Sequence, residues 1–185
     1  MTTIETKRLI LRNWQEGDRA LFHRINADET VMEFFPFRRS RAEADALMDR
    51  LRDGIAERGF GFAAAEIRAT GETIGFVGLH ATGDLPALGP GVIEIGWRLA
   101  PEYWGKGYVT EAAAAWLEYG FKTLGLDEIV SFAVAHNRRS IAVMRRIGMT
   151  RDAEGDFSHP SVPDSHPHLK PHVLYRLSRR NWPAT

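Results

Sequence analysis

A helical stripe set between two strand-like runs constrains this chain more than any other feature. From Val109 to Leu124 the apolar residues Val109, Ala112, Ala113, Trp116, Leu117, Phe121 and Leu124 recur at helical spacing, and Gly125 follows as a stop. Val92 to Ala100 before it and Glu128 to Ala135 after it read as strands. Asn137 to Ile147 then reads as a short helix with an Asn cap and Gly148 just past its end. Strand, helix, strand, helix in that order requires a crossover between parallel strands, so the sheet cannot be a simple meander.

The remainder is more local. Arg8 to Trp14 reads as a strand that gives way to a polar helix-like run from Glu16 to Asn26, and Ala44, Leu47, Met48, Leu51 and Ile55 mark a second helix over 41–57. Phe60 to Arg68 and Thr73 to Thr82 form a hairpin about Gly71-Glu72, and His172 to Leu177 is a last strand. Residues 151–171 carry Pro160, Pro163, Pro167 and Pro171 and read as a polar, proline-broken excursion. There is no repeat, no long linker and no sign of a second hydrophobic core, so a single domain over 1–185 is expected.

Composition excludes several chemistries. Cys 0 rules out a disulfide and a thiolate nucleophile, and no Gly-x-Ser-x-Gly elbow is present. Lys+Arg 24 balances Asp+Glu 24, which removes the basic excess that carries nucleic acid or an anionic membrane; any anion must meet a local site. No apolar run has signal-peptide or membrane-spanning character, so a cytoplasmic location is expected. The His residues at 159, 166, 168 and 172 fit no helical metal-ligand spacing. No metal is expected; the stretch reads better as a loop over a binding site.

One stretch lies where chemistry is commonly built. Glu102 to Glu111 is glycine-rich and sits between a strand and the central helix. Its Gly-x-Gly is one of three in the chain and is uninformative alone. The setting adds weight, because a glycine turn lets backbone N–H groups approach a ligand and the following helix offers free N-terminal donors. The triphosphatase loop fails here, since Lys106 is followed by Gly107 and not Ser or Thr. The dinucleotide fingerprint fails too, with Thr110 where its third glycine belongs. A ligand-free capping turn and a phosphate site both remain open.

Taken with Glu94-Ile95-Gly96-Trp97-Arg98-Leu99 and Asn137-Arg138-Arg139-Ser140 leading to Gly148-Met149, the run Tyr103 to Ala112 resembles the GNAT superfamily of acyl-CoA-dependent N-acetyltransferases. Thr6 to Arg12 and His172 to Leu177 are similar to its branch acting on ribosomal-protein N-termini, the RimJ/RimL-like branch. The resemblance implies a single-domain mixed α/β fold, with a twisted, mostly antiparallel sheet of about six or seven strands whose central parallel strands splay apart, and about four helices. It implies acetyl-CoA as co-substrate and an amine acceptor, attacked directly in a ternary complex, with a homodimer left open.

The resemblance also assigns roles. The family's pyrophosphate loop maps onto Trp104, Gly105, Lys106, Gly107, Tyr108 and Val109, with Thr110 after it. Trp104 stands where the family has Gln or Arg and Val109 where it has a small residue, so the backbone donors carry the expectation. Trp97 and Leu99 on the preceding strand and Asn137 after the next one would meet the coenzyme, with Trp97 near the oxyanion donor. Glu94 matches the general-base position and Ser140 the residue beside the sulfur, while the family's proton-donating Tyr falls at Met144, which cannot donate. The plainer readings are a solvated carboxylate or an Arg98 partner for Glu94, a first-turn residue for Ser140 and a cap for Asn137. Arg138 and Arg139 either meet a coenzyme phosphate or are solvated; Trp14, Phe34, Phe35 and Phe37 either wall the acceptor pocket or pack the core. Rivals to a peptide-directed enzyme are an acyl-CoA sensor without turnover, motivated by Met144, and an enzyme acting on a small amine such as a polyamine.

Overall fold

Residues 3–83 and 85–183 are described by the computed structural model, and they build eight strands and four α-helices. In chain order these are β1 (Ile4–Glu5), β2 (Leu9–Arg12), α1 (Arg19–Ala27), α2 (Arg41–Arg58), β3 (Phe62–Ile67), β4 (Thr73–Ala81), β5 (Ile93–Leu99), α3 (Tyr108–Lys122), β6 (Glu128–Val134), α4 (Arg138–Arg146), β7 (Thr150–Ser158) and β8 (Pro171–Ser178). They form one sheet in the order β1-β2-β3-β4-β5-β6-β8-β7. The mixed α/β fold expected from the sequence is present.

Every neighbouring pair runs antiparallel except β5 and β6, which α3 joins by the expected crossover. Those two strands pair in register at one position, Glu94 opposite Val130, although each is seven residues long. Beyond that point they part. The buried Ser131 hydroxyl donates to the Ile95 carbonyl at 2.9 Å, closing the fork where the ladder stops. The gap leaves backbone polar groups of both strands to face whatever enters it.

Local signals explain the flanking helices. Ser40 caps α2, with its side chain accepting from the Glu43 N–H while Glu43 reaches back to Ser40. Asn137 caps α4 by accepting from the Ser140 N–H at 3.1 Å. α1 and α2 cover one face of β3 and β4, where Trp14, Phe22 and Phe76 meet edge to face or tilted, and α3 covers the other with Trp116 and Phe121 fully or nearly buried.

The structure departs from the sequence reading in three places. Eight strands replace the expected six or seven, because β1 is a two-residue edge strand too short to leave a pattern and β7 lies in the supposed excursion. β7 is an outer strand carrying Arg151, Asp152, Glu154 and Asp156, so it lacks an alternating apolar face. Its ladder with β8 also shifts register between Asp152 and Phe157. Finally, Glu16 to Asp18 is a tight 3-10 turn and α1 begins at Arg19.

Candidate active site

The turn from Trp104 to Gly107 enters α3 through two left-handed glycines, Gly105 at φ +72° and Gly107 at φ +78°. Gly107 is the N-cap of α3 and offers no side-chain acceptor. Among the described residues, the N–H groups from Gly105 to Thr110 donate to no protein acceptor; the first helical bond of α3 is from Glu111 to the Gly107 carbonyl at 3.1 Å. Six successive positions thus hold donors free at the positive end of a fifteen-residue helix.

Neighbouring side chains hold this turn in place. Glu111 accepts from the Arg8 N–H at 2.7 Å, the Arg8 Nε at 2.6 Å and the Thr6 hydroxyl at 2.6 Å. Arg8 continues to the Lys106 carbonyl at 2.9 Å and lies over the Tyr108 ring. The Trp104 indole donates to the Leu99 carbonyl at 2.8 Å, tying the loop to the end of β5, and the Arg139 guanidinium stacks on that indole 4.5 Å from its centroid. Arg139 is also paired with Glu33 at 2.7 Å.

A cleft of about 1290 Å³ runs from this loop through the gap between β5 and β6. Its wall includes Trp97, Leu99, Trp104, Gly105, Gly107, Tyr108, Val109 and Thr110 at the loop end and Asn137, Ser140 and Met144 along α4. Glu94 stands on the same wall at the other side. Of the residues expected to hold the coenzyme or act in catalysis, Lys106 lies outside it, its ammonium above the Tyr103 ring, and Arg138, the candidate phosphate partner next to Arg139, lies outside it as well. The volume exceeds the ~300–1,000 Å³ usual for a single small ligand.

Glu94, Gly96 and Arg98 point to one face of β5, with His80, Gly78 and Phe76 opposite them on β4. A Cβ at Gly78 would strike the Gly61 carbonyl at 1.9 Å, and one at Gly96 would meet the Phe62 ring at 2.9 Å. Phe62 therefore lies across the strands where two side chains are missing, dividing the face into a Glu94–His80 end and an Arg98–Phe76 end. It stacks on His80 at 4.8 Å.

The Glu94 carboxyl is only 18% exposed, and among the described residues no Lys or Arg nitrogen pairs with it; the His80 ring lies 3.8 Å away. Loss of water pushes its pKa up to about 7. The same cause, with Arg58 adding to it, lowers that of His80, whose buried Nδ1 has no hydrogen-bond partner among the described residues. A carboxylate that titrates near neutrality inside a cleft is able to take a proton from an ammonium group at working pH.

On α4, Asn137 is engaged as a cap through its oxygen, which leaves its amide N–H groups for the cleft. Met144 is 1% exposed and brings to the cleft wall a thioether, which cannot donate a hydrogen bond. His159 and His172 line the cleft with their rings 4.9 Å apart against Phe132 and Phe157, and burial lowers both of their pKa values. His166 and His168 lie outside the wall, and the described residues contain no group of three metal-ligating side chains. Of the aromatic candidates, Phe34 and Phe35 line the cleft, Trp14 is core and donates to the Phe62 carbonyl, and Phe37 lies beneath Arg39 outside it.

Sequence reasoning passed over His80, Ser131 and Arg98 as site residues. Period-two alternation from Glu94 leads directly to Arg98. His80 and Ser131 become visible only with the strand register, which the irregular loop between β4 and β5 hides.

The matching family model, Acetyltransferase (GNAT) domain, spans residues 8–150. A Bacillus subtilis relative described as an uncharacterized N-acetyltransferase is 32% identical over 152 residues, covering 80% of this chain and 83% of that one. An Aspergillus fumigatus FsC-acetyl coenzyme A-N(2)-transacetylase is 28% identical, over 97% and 77% of the two chains. The crystal structure of a GNAT-family acetyltransferase from Bacillus anthracis superposes with a TM-score of 0.80 at 25% identity, covering 97% of this chain and 99% of that one.

Proposed function

The chain belongs to the acetyltransferase (GNAT) family, and from that premise we propose that it carries an acetyl group from acetyl-CoA to the α-amine of a peptide or protein by direct attack within a ternary complex. The observation that carries this reading is the pairing, in one cleft, of unsatisfied N–H donors from Gly105 to Thr110 with a buried carboxyl at Glu94. The donors suit the diphosphate of the coenzyme. Trp97 and Leu99 on β5 and Asn137 on α4 flank the pantetheine arm, which the opening between β5 and β6 admits edge-on.

The acceptor enters from the face that bears Glu94. An α-amine titrates near ~8, so much of it arrives protonated at neutral pH and must shed a proton before it becomes a nucleophile. Glu94, directly or through a water, takes that proton. Nitrogen then attacks the thioester carbon, and the new oxyanion receives an N–H from the opened edge of β5 near Trp97. As the C–S bond breaks, the nitrogen sheds its second proton and the departing thiolate takes one up to leave as free thiol; Ser140 at the first turn of α4 stands as hydrogen-bond donor to that sulfur, the role Met144 is unable to fill.

Release of free thiol from acetyl-CoA, followed across peptides and small amines, tests the reading; transfer to at least one amine class is expected, and saturable coenzyme binding with no transfer to any of them would replace it by a sensor role. Met144 is the observation on the side of that second reading. The peptide α-amine acceptor follows the RimJ/RimL-like motifs, and with it a cytoplasmic site of action. Among the described residues, no helix is long and apolar enough to cross a membrane.

A further inference from the structure

Among the described residues, Arg98 is a cation without a carboxylate. It lies partly buried on the acceptor side of the cleft wall, and among the described residues no Asp or Glu oxygen comes within 4.0 Å of it. Its guanidinium carbon lies over the Phe35 ring, 4.5 Å from the centroid, and 5.4 Å from the Phe76 centroid. One nitrogen, Nη1, donates to the Asn26 Oδ1 at 2.5 Å; Asn26 is fully buried and is itself fixed by donating to the Phe22 carbonyl at 2.7 Å. Asn26 thus orients the fork without neutralising it. Burial and the nearby charge of Arg39 lower the Arg98 pKa to about 9, and the buried Arg39 Nε has no hydrogen-bond partner among the described residues. Charges withdrawn from water are ordinarily paired, and with Nη1 alone engaged the remaining N–H groups of the fork are left for a carboxylate, which a guanidinium matches in two parallel hydrogen bonds.

We propose that the acceptor carries a carboxylate, bound by Arg98, at a distance from the amine that Glu94 deprotonates. This deepens, and rests on, the acetyltransferase reading above. Glu94 and Arg98 are four residues apart on one strand, a Cα separation on the order of 13 Å at ~3.3 Å per residue. Phe62 lies between them, so the acceptor crosses an aromatic surface with its amine at the His80 end and its anion at the Phe35 end. An extended chain of about three residues with a free terminus spans that distance. A polyamine is disfavoured, because its second ammonium would come to rest beside Arg98 and Arg39.

The test uses the intact protein with acetyl-CoA and matched tripeptides that end in a free carboxylate or in an amide, with spermidine as a cationic acceptor. The expected result is a kcat/KM at least tenfold higher for the free acids than for the amides, with spermidine lowest. In Arg98→Gln and Arg98→Lys that ratio falls toward one, chiefly through KM, while calorimetry gives an acetyl-CoA Kd within about twofold of the parent value. Equal rates for acid and amide in the parent protein, or an Arg98 effect confined to acetyl-CoA binding, overturn the inference and leave the acetyltransferase reading intact. Should no amine be acetylated, the two readings are separated by titrating N-acetylated tripeptide acids and amides into the CoA-loaded protein: acid-selective binding lost in Arg98→Gln sustains the anion site alone, and its absence removes both.

Discussion

Glu94 has opposite effects on activity and stability, and both follow from the same lack of water. With its pKa near 7, the kcat for a saturating acceptor is expected to rise with pH through about 7 and then level off. Glu94→Gln should lower kcat by about 10²–10⁴-fold and abolish that inflection, with acetyl-CoA affinity retained. The sign on stability is the reverse. A carboxyl whose folded pKa is raised from 4.5 favours the folded state below that value and withdraws its support as pH climbs through about 7. Glu94→Gln should therefore be the more stable protein at pH 8, by up to about 3 kcal/mol in a denaturant titration, and lose that advantage by pH 5. A variant less stable at both pH values would contradict the burial of the charge. Ser140→Ala tests a narrower point: a kcat loss with little change in acetyl-CoA Kd is expected if its hydroxyl serves the sulfur, whereas a ligand-independent loss of stability alone would reduce it to a first-turn helix residue.

At the scale of elements, the loop before α3 needs both its glycines and its struts. Gly107 sits at φ +78° with the Arg8 side chain 3.4 Å from where a Cβ would lie, so Gly107→Ala should cost about 1–2 kcal/mol of stability. It should also weaken acetyl-CoA binding about tenfold by turning the N–H groups away, as read by calorimetry; unchanged affinity would mean that those donors are idle. Much of this was legible in the sequence, because the α3 stripe, the Gly71-Glu72 turn and the caps at Asn137 and Gly148 are local signals. Glu94 and the loop residues entered as candidates through the motifs they sit in. β7 was not legible, since an exposed outer strand of charged residues buries no stripe for a period to reveal. The environment of Glu94 was equally hidden: His80, Phe62 and Arg98 surround the site only after β3, β4 and β5 adopt their register.

For the molecule as a whole, the cleft is the place where the two halves of the sheet are least joined. β1 to β5 and β6 to β8 meet at one register pair, Glu94 with Val130, together with the Ser131 hydrogen bond. A ligand filling the gap adds contacts to both halves at once. Acetyl-CoA at a hundredfold excess over its Kd should stabilise the chain by about 2.7 kcal/mol, a rise in Tm of roughly 5–10 °C. Acetyl-pantetheine, which lacks the diphosphate, should give a much smaller rise at the same concentration. Equal shifts would place the binding energy somewhere other than the start of α3.

The most direct test is a crystal structure of the protein with acetyl-CoA. The expected map has the diphosphate within hydrogen-bonding distance of the N–H groups from Gly105 to Thr110 and the thioester in the opening between β5 and β6, on the side of Glu94. Coenzyme density lodged outside that opening, or a diphosphate held by side chains with those N–H groups still unpaired, would contradict it.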